Sequence, residues 1–170
     1  MRALTFLVAA LVAGNVCAAT LAGRVVGVLD GNTITVLDAG KAQHKIRLSG
    51  IYAPGLKQAI GTLSKQNLSD MVYRKQVTVA WEKRDRHGRI IGKVGFTPEV
   101  CLTPACLNRA DAGYEQIAAG FAWHYKQHAK EQSRDDRERY AAAENQARAA
   151  KRGLWADPAP VPPWEWHRAK

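Results

Sequence analysis

Basic side chains are the most abundant groups in this sequence that could do chemistry, and phosphate is their natural partner. Lysine and arginine total 25 against 15 aspartate and glutamate residues, which gives a formal net charge of +10 at pH 7. A small basic chain attracts polyanions at long range because the fields of its charges add. This balance favours nucleic acid as the partner, with a membrane surface, an acidic protein or no special partner as the alternatives.

A pair of cysteines is the second candidate for chemistry. Cys101 and Cys106 are separated by a short Leu-Thr-Pro-Ala loop. In an exported protein a disulfide is the default state of such a pair, and it would pin a turn. Two free thiols are the alternative. Structural zinc sites take about four ligands, so two thiols without neighbouring ligands are too few.

The N-terminus predicts export. Met1-Arg2 is followed by an apolar run over residues 3–13 and by small residues up to Ala19. That order is typical of a secretory signal peptide, and the run is far shorter than the ~20 apolar residues of a membrane span. Residues 1–18 are therefore predicted to be removed, with Ala19 as the alternative last residue, and the mature protein to act in the periplasm or the medium without a membrane attachment. Cys17 is a poor match for a lipid attachment site, because the residue before it is Val16 rather than a small one.

The elements that must position the basic groups can be read from the hydrophobic periodicity. Alternating Val- and Ile-rich segments predict five strands, at residues 24–29, 33–37, 45–48, 76–81 and 90–96. Asp30-Gly31-Asn32 supplies a hairpin turn, and the charged segment 82–89 a second turn. Helices are predicted over residues 60–72, after a cap at Asp111, and from Ser133 to the Gly153 stop signal. One helix between the third and fourth strands fits a five-stranded Greek-key barrel of the OB type, which binds oligonucleotides on one face.

Short motifs in a fixed order identify a family. The chain resembles the thermonuclease (staphylococcal or micrococcal nuclease) family through six of them, at residues 30–34, 46–51, 53–54, 85–89, 120–123 and 143–155. The resemblance implies an α+β protein, a five-stranded OB-type Greek-key barrel with three helices. It places the domain at residues 19–155 and leaves a tail rich in proline and tryptophan at 156–170.

The resemblance also implies a Ca²⁺-dependent endonuclease ancestry. In the family, carboxylates hold one calcium ion, a glutamate activates water, and two arginines bind the scissile phosphate. Arg47 and Arg89 stand at the positions of these two arginines. Arginine suits that role because its planar fork of donors matches the oxygens of a phosphate and the charge that develops on it.

The family's acidic residues, in contrast, are missing. Asn32 and Tyr52 stand at the two calcium-binding aspartates, Ala53 replaces a residue that helps line the metal site, and Gly55 stands at the general-base glutamate. Asp30 remains at the position of a supporting carboxylate. Asn32 and Asp30 are thus the only matched residues left to hold a metal, and calcium affinity follows ligand charge. Loss of a general base costs ~10²–10⁴-fold, so hydrolysis is predicted to be severely weakened or absent.

Nucleic-acid binding does not require the metal. Arg47, Arg86 and Arg89 are predicted to contact phosphates of DNA or RNA, and Tyr125 to stack on a base or donate a hydrogen bond. Helix-end packing is the alternative for Tyr125. For His87 the alternatives are a phosphate contact, an exposed turn position and a new acid or base. The tail tryptophans at 164 and 166 either fold back on the domain or form an exposed patch.

Three readings of the function remain open at this point. The first is an exported, nucleic-acid-binding homologue with crippled hydrolysis. The second is an active extracytoplasmic endonuclease that uses a rearranged site. The third is a protein-interaction module, as happens when such domains lose their sites. Oligomeric state and preference for DNA or RNA leave no signal in the sequence.

Overall fold

A computed structural model describes residues 19–100 and 109–166. Its strands are β1 (Ala19–Asp30), β2 (Thr33–Asp38), β3 (Gln43–Leu48), β4 (Ile51–Tyr52), β5 (Gln76–Arg84), β6 (Ile90–Phe96), β7 (Ala110–Asp111) and β8 (Trp123–His124). Its helices are α1 (Gly61–Val72), α2 (Ala112–Ala118), α3 (Arg134–Ala149) and the single turn α4 (Pro163–Trp166), with 3₁₀ helices at Lys126–Glu131 and Gly153–Ala156.

Five strands close into a barrel, which confirms the predicted α+β fold. They follow the order β3-β2-β1-β5-β6, with antiparallel neighbours, and a parallel contact between β3 and β6 closes the ring. The barrel interior is filled by branched aliphatic side chains that alternate with exposed ones, among them Val25, Ile34, Ile46 and Val79, all 0% exposed. Closure removes the open sheet edges on which other chains could pair.

Capping chemistry sets the starts of two helices as predicted. The Asp111 carboxylate accepts hydrogen bonds from the Gly113 and Tyr114 amides at the start of α2. The Ser133 hydroxyl accepts one from the Asp136 amide at the start of α3. Each contact satisfies donors that a helix start leaves free.

Several details differ from the expected pattern. Leu63 belongs to the apolar pattern of α1, but it is 58% exposed, whereas Ser64 beside it is buried. Ser64 can be buried because its hydroxyl donates to the Phe121 carbonyl oxygen at 2.7 Å. The two-residue strands β4 and β8 pair with each other. A segment of two residues is too short to show hydrophobic periodicity, so the sequence pattern predicts neither strand. Each becomes a strand only by pairing with the other, far away in the chain.

The end of the tail folds back on the domain. Trp164 on α4 lies with its ring centroid 5.4 Å from that of Tyr125 and 6.2 Å from that of Trp123. Trp123 and Trp155 form a small second core with Ala147 and Leu154. The four-proline segment 157–163 forms no central strand, and α4 begins at its last proline, where a missing amide does no harm.

Other predictions lie outside the described residues or remain open. The signal peptide, Cys101 and Cys106 fall on residues that the structure does not describe, so the cleavage site and the disulfide stay predictions. Within residues 19–100 and 109–166, no helix combines the length and apolarity that crossing a bilayer requires.

Candidate active site

The β1–β2 hairpin turn places the first two site residues. The Asp30 carboxylate accepts a hydrogen bond from the Asn32 amide at 2.9 Å, which shapes the turn. The Asn32 side-chain nitrogen points toward the Ile51 carbonyl oxygen at 3.5 Å. Gln116, which is fully buried on α2, holds the turn from behind by donating to the Gly31 carbonyl oxygen at 2.6 Å and to that of Ser64 at 3.0 Å. The hairpin is thereby fixed to two helices.

Arg47 lies on β3, where the barrel closes, and it is paired with a carboxylate. It stands opposite Thr33 on β2 and Ile91 on β6. Its Nη2 donates to both carboxylate oxygens of Glu131, at 2.9 and 2.8 Å. The two side chains are only 10% and 5% exposed. Glu131 also lies 3.1 Å from His128 Nδ1 and 3.5 Å from Lys83 Nζ, so its charge is surrounded by basic groups.

Arg89 projects from the turn between β5 and β6. Asp85 organises this turn: its carboxylate accepts from the His87 and Arg89 amides at 2.9 and 3.0 Å and from Arg89 Nε at 2.7 Å. Arg86 Nε donates to His87 Nε2 at 3.1 Å, and both side chains are exposed. The turn predicted over residues 82–89 is therefore shaped by Asp85.

Tyr52 and Gly55 come from β4 and the segment that follows it. Tyr52 on β4 places its ring edge-on to Tyr125, at 5.1 Å between centroids, and to Trp164 at 6.1 Å. The Gly55 amide donates to the Gln58 side chain at 3.0 Å. A Cβ built at Gly55 would meet only Gln58 Oε1, at 3.8 Å, which is an ordinary contact. The position therefore has room for a larger side chain.

These residues line one cavity of about 690 Å³, within the usual size of ligand sites. Every described residue that the sequence proposed for the site lies on its wall: Asp30, Asn32, Arg47, Tyr52, Gly55, Arg86, His87, Arg89 and Tyr125. His128 and Glu131 also line it and were not expected. They lie on the 3₁₀ helix Lys126–Glu131. Nothing in the local sequence marks them, since Glu131 contacts Arg47 across a large part of the chain and His128 contacts Glu131.

The charges of the cavity are nearly balanced. Three arginines (Arg47, Arg86 and Arg89) face three carboxylates (Asp30, Asp85 and Glu131). Burial works to raise the pKa of Asp85, but hydrogen bonds from the Arg89 guanidinium and from the His87 and Arg89 amides outweigh it and leave that pKa lowered. Asp85 is thus held ionised against Arg89, and Glu131 is paired with Arg47.

Tyr52 stays a neutral phenol. Burial, with a smaller contribution from Tyr125, raises its pKa above the ordinary value for tyrosine. Among residues 19–100 and 109–166, no group of three or more His, Cys, Asp or Glu side chains is arranged to hold a metal ion. Asp30, Asn32 and Tyr52 thus offer one carboxylate, one neutral amide and one uncharged phenol at this cavity.

Comparisons with known proteins agree with the fold and the motifs. The profile of a family described as "Staphylococcal nuclease homologue" matches residues 45–157. A protein of Escherichia coli named "Uncharacterized endonuclease" is 41% identical over 155 residues, which cover 91% of this chain and 90% of that relative. "Protein ParB" of Escherichia coli is 36% identical over 94% of this chain and 86% of its own length. A "Micrococcal nuclease" of Shigella flexneri is 35% identical over 86% of this chain and 80% of its own length. The chain belongs to the staphylococcal nuclease family.

Proposed function

We propose that this protein is an exported, nucleic-acid-binding member of the family in which phosphodiester hydrolysis is severely weakened or lost. One observation carries the proposal. The cavity retains both arginines expected to bind the scissile phosphate, but Asn32, Tyr52 and Gly55 line it where the family places carboxylates. Phosphate can still bind there, while the groups that would activate water are missing.

The donor set fits calcium poorly. The family is generally Ca²⁺-dependent, and Ca²⁺ takes six to eight oxygen ligands, with carboxylates supplying the charge. Here Asp30 is the one carboxylate beside Asn32, and one of its oxygens already accepts the Asn32 amide. Tyr52 adds bulk without charge, since its raised pKa keeps the proton on the phenol. We expect calcium to bind weakly or not at all.

A general base is lacking for a related reason. Gly55 offers no side chain at the base position, and the other carboxylates of the cavity are engaged. Asp85 is bound by Arg89, and Glu131 by Arg47. A carboxylate held by an arginine is a poor proton acceptor, because the neighbouring positive charge stabilises its ionised form.

Binding of a phosphate backbone is supported by the basic groups at the rim. The Arg86 side chain donates to His87 Nε2 rather than to a carboxylate. Lys83 and Lys126 have side chains that are 56% and 69% exposed, so they can reach a strand that crosses the cavity. Contacts of this kind give salt-dependent affinity without reading sequence.

Glu131 and His128 favour one alternative, an endonuclease with a rearranged site. The Glu131 carboxylate lies 3.1 Å from His128 Nδ1, which is the arrangement by which a carboxylate orients an imidazole base. The two proposals differ in whether the native protein cuts nucleic acid at all.

The decisive experiment compares cleavage by three proteins. The native residues 19–170, the variant Asn32→Asp/Tyr52→Asp/Gly55→Glu, and its matched control with Gly55→Gln are incubated with DNA and RNA, with Ca²⁺ or with chelator. We expect the native protein and the Gln control to be inert and the first variant to cut only with Ca²⁺. Cleavage by the native protein at enzymatic rates would overturn the proposal in favour of the rearranged site. Export is tested separately, by cell fractionation and by the N-terminal residue of the mature protein.

A further inference from the structure

The tail of the chain contacts the wall of the cavity that holds the arginines, called the arginine cavity below. Tyr52 and Tyr125 both line that cavity, and Trp164 of the tail packs against both of them. The ring centroid of Trp164 lies 6.1 Å from that of Tyr52 and 5.4 Å from that of Tyr125. Trp164 itself lines a neighbouring groove rather than the cavity. It therefore acts on a ligand of the cavity through the residues that it supports.

Trp164 also joins the two short strands that carry this wall. Tyr52 on β4 stands opposite Trp123 on β8, and the Trp164 ring centroid lies 6.2 Å from that of Trp123. Tyr125 follows β8 directly, and its amide donates to the Gly50 carbonyl oxygen at 2.8 Å, just before β4. An isolated pair of such short strands is at best marginally stable. One ring of the tail thus bridges both members of a small sheet that needs outside support.

Gln58 connects the tail to a second part of the wall. Its Nε2 donates to the Val161 carbonyl oxygen at 3.2 Å, and its Oε1 accepts a hydrogen bond from the Gly55 amide at 3.0 Å. The Gln58 amide donates back to the Gly55 carbonyl oxygen at 2.8 Å. Gln58 is buried, so the loss of either side-chain contact leaves a buried polar group without its partner. The position of the Gly55 turn is therefore tied to the position of the tail.

The tail combines stiffness with few contacts to the domain. Residues 157–163 include four prolines, and each proline fixes its own φ, which lowers the entropy lost when the tail docks. Residues 157–159 and 161 are exposed, while Pro163 is buried. Segments with few buried contacts open at a low free-energy cost. The tail can therefore dock in one conformation and be released without unfolding of the barrel.

We propose that docking of the tail is coupled to binding of a nucleic-acid strand in the arginine cavity, with Trp164 and Gln58 as positioning residues. This inference rests on the proposed nucleic-acid binding. When the tail is released, the two short strands and the Gly55 turn gain freedom that a bound strand must remove again, which costs affinity. Coupling between two sites is reciprocal. A bound strand therefore holds the tail in place by the same factor by which the docked tail strengthens binding.

Protection of the tail by a ligand gives the first test, on the full mature chain of residues 19–170. Chymotrypsin cuts after aromatic residues, so the initial rate of cleavage after Trp164 and Trp166 reports the released fraction of the tail. We expect a saturating oligothymidylate to lower that rate by about 5-fold to about 150-fold, the usual range of coupling between two sites. A free peptide of residues 157–170 in the same mixture controls for inhibition of the protease. An unchanged rate on the intact chain would overturn the coupling.

The second test measures the affinity of variants for the same oligonucleotide by fluorescence anisotropy. Trp164→Ala and Gln58→Ala should weaken binding by up to the factor by which the strand protects the tail. Trp164→Phe keeps an aromatic ring and should retain most of the affinity. Tyr73→Ala, at an exposed ring that lines neither the cavity nor the groove, and Gln66→Ala, on an exposed face of α1, are the matched controls and should bind like the native protein. Native affinity in Trp164→Ala would contradict the proposal.

Unfolding measurements separate positioning from a general loss of stability. Urea titrations identify conditions in which every variant is folded, and affinities are compared only there. If Tyr73→Ala weakens binding as much as Trp164→Ala, at an equal loss of stability, then Trp164 acts on the fold as a whole and the proposal is wrong. Rescue of affinity by Trp164→Phe supports positioning by the ring.

The same data separate this inference from the proposed function. If the native protein shows no salt-dependent binding to any strand, nucleic-acid binding itself fails, and the coupling fails with it. If the native protein binds the strand, but the strand does not protect the tail and Trp164→Ala binds equally well, nucleic-acid binding stands and only the coupling fails.

Discussion

Arg47 Nη2 donates to both oxygens of Glu131, at 2.9 and 2.8 Å, in a pair that is almost withdrawn from solvent. The Glu131 carboxylate thus takes up the Nη2 donor of an arginine that is expected to bind phosphate. The ligand and Glu131 compete for the same positive charge, which links affinity for nucleic acid to this single contact.

Removing the charge of Glu131 should strengthen binding. In Glu131→Gln the cavity gains one net positive charge, and we expect tighter binding of an oligonucleotide and a steeper dependence on salt concentration. Anisotropy titrations at several salt concentrations measure both. Glu138→Gln, which removes an exposed charge from α3, is the matched control and should change little. Weaker binding in Glu131→Gln would show that Glu131 positions Arg47 for phosphate rather than competing with it.

The same substitution should lower stability. Arg47, His128 and Lys83 all lie within 4.0 Å of the Glu131 carboxylate, and a hydrogen bond to a charged group contributes about 1.5–3 kcal/mol. We expect the free energy of unfolding to fall by about that amount in urea titrations. A change within error would mean that the amide of glutamine satisfies Arg47 fully.

Asp85→Asn should alter stability in a pH-dependent way. The pKa of Asp85 is lowered in the folded state, against about 3.9 for an unfolded aspartate. Its stabilising contribution is therefore complete above that value and is lost as the pH falls through the folded-state pKa. Urea titrations over the acid range should show a difference between native protein and variant that shrinks with falling pH. Asp70→Asn, at an exposed residue, is the control, and a difference independent of pH would contradict the argument.

Gln58→Ala should release the tail. Gln58 is 8% exposed and joins the Gly55 loop to Val161 through two hydrogen bonds. We expect faster proteolysis after residue 156 and a loss of stability of about 1–3 kcal/mol, because the partner amide and carbonyl lose their contacts. Gln66→Ala, whose side chain bonds only to Asp70 on an exposed face, is the matched control. Equal proteolysis of both variants would show that ring contacts alone hold the tail.

Tyr140→Phe should destabilise the contact between α2 and α3. The Tyr140 hydroxyl lies 3.0 and 2.9 Å from the two carboxylate oxygens of Asp111, inside the core. Removing it leaves a buried charge with fewer donors, which we expect to cost about 1.5–3 kcal/mol in thermal or urea unfolding. Tyr73→Phe, at a residue that is 42% exposed, should cost nothing measurable.

Local chemistry explains what the sequence could predict. The barrel strands follow from alternating branched residues, the hairpin from Asp30-Gly31-Asn32, and two helix starts from the caps at Asp111 and Ser133. Each signal acts over a few residues. The assembly of the cavity walls was predictable through the motif order, because the family resemblance carries tertiary information that periodicity lacks.

Long-range contacts explain what was missed. Glu131 is one charge in a charged segment until the fold brings it to Arg47, and β4 becomes a strand only beside β8. Ser64 rather than Leu63 lies in the core because its hydroxyl donates a hydrogen bond to the Phe121 carbonyl oxygen. Gln116 is a polar residue on an apolar face, and its role as a support of the hairpin turn appears only when two backbone carbonyls converge on it.

The parallel contact between β3 and β6 has a kinetic consequence. It closes the ring and joins segments that are distant in the chain, so forming it costs loop-closure entropy. Arg47 lies on β3 and Arg89 immediately before β6, so closure of the ring brings both arginines to one cavity. A phosphate bound by both arginines would then link β3 to β6. Bound nucleic acid should accordingly slow the separation of β3 from β6. Hydrogen exchange at the backbone amides of Ile46 and Ile91 would measure that rate.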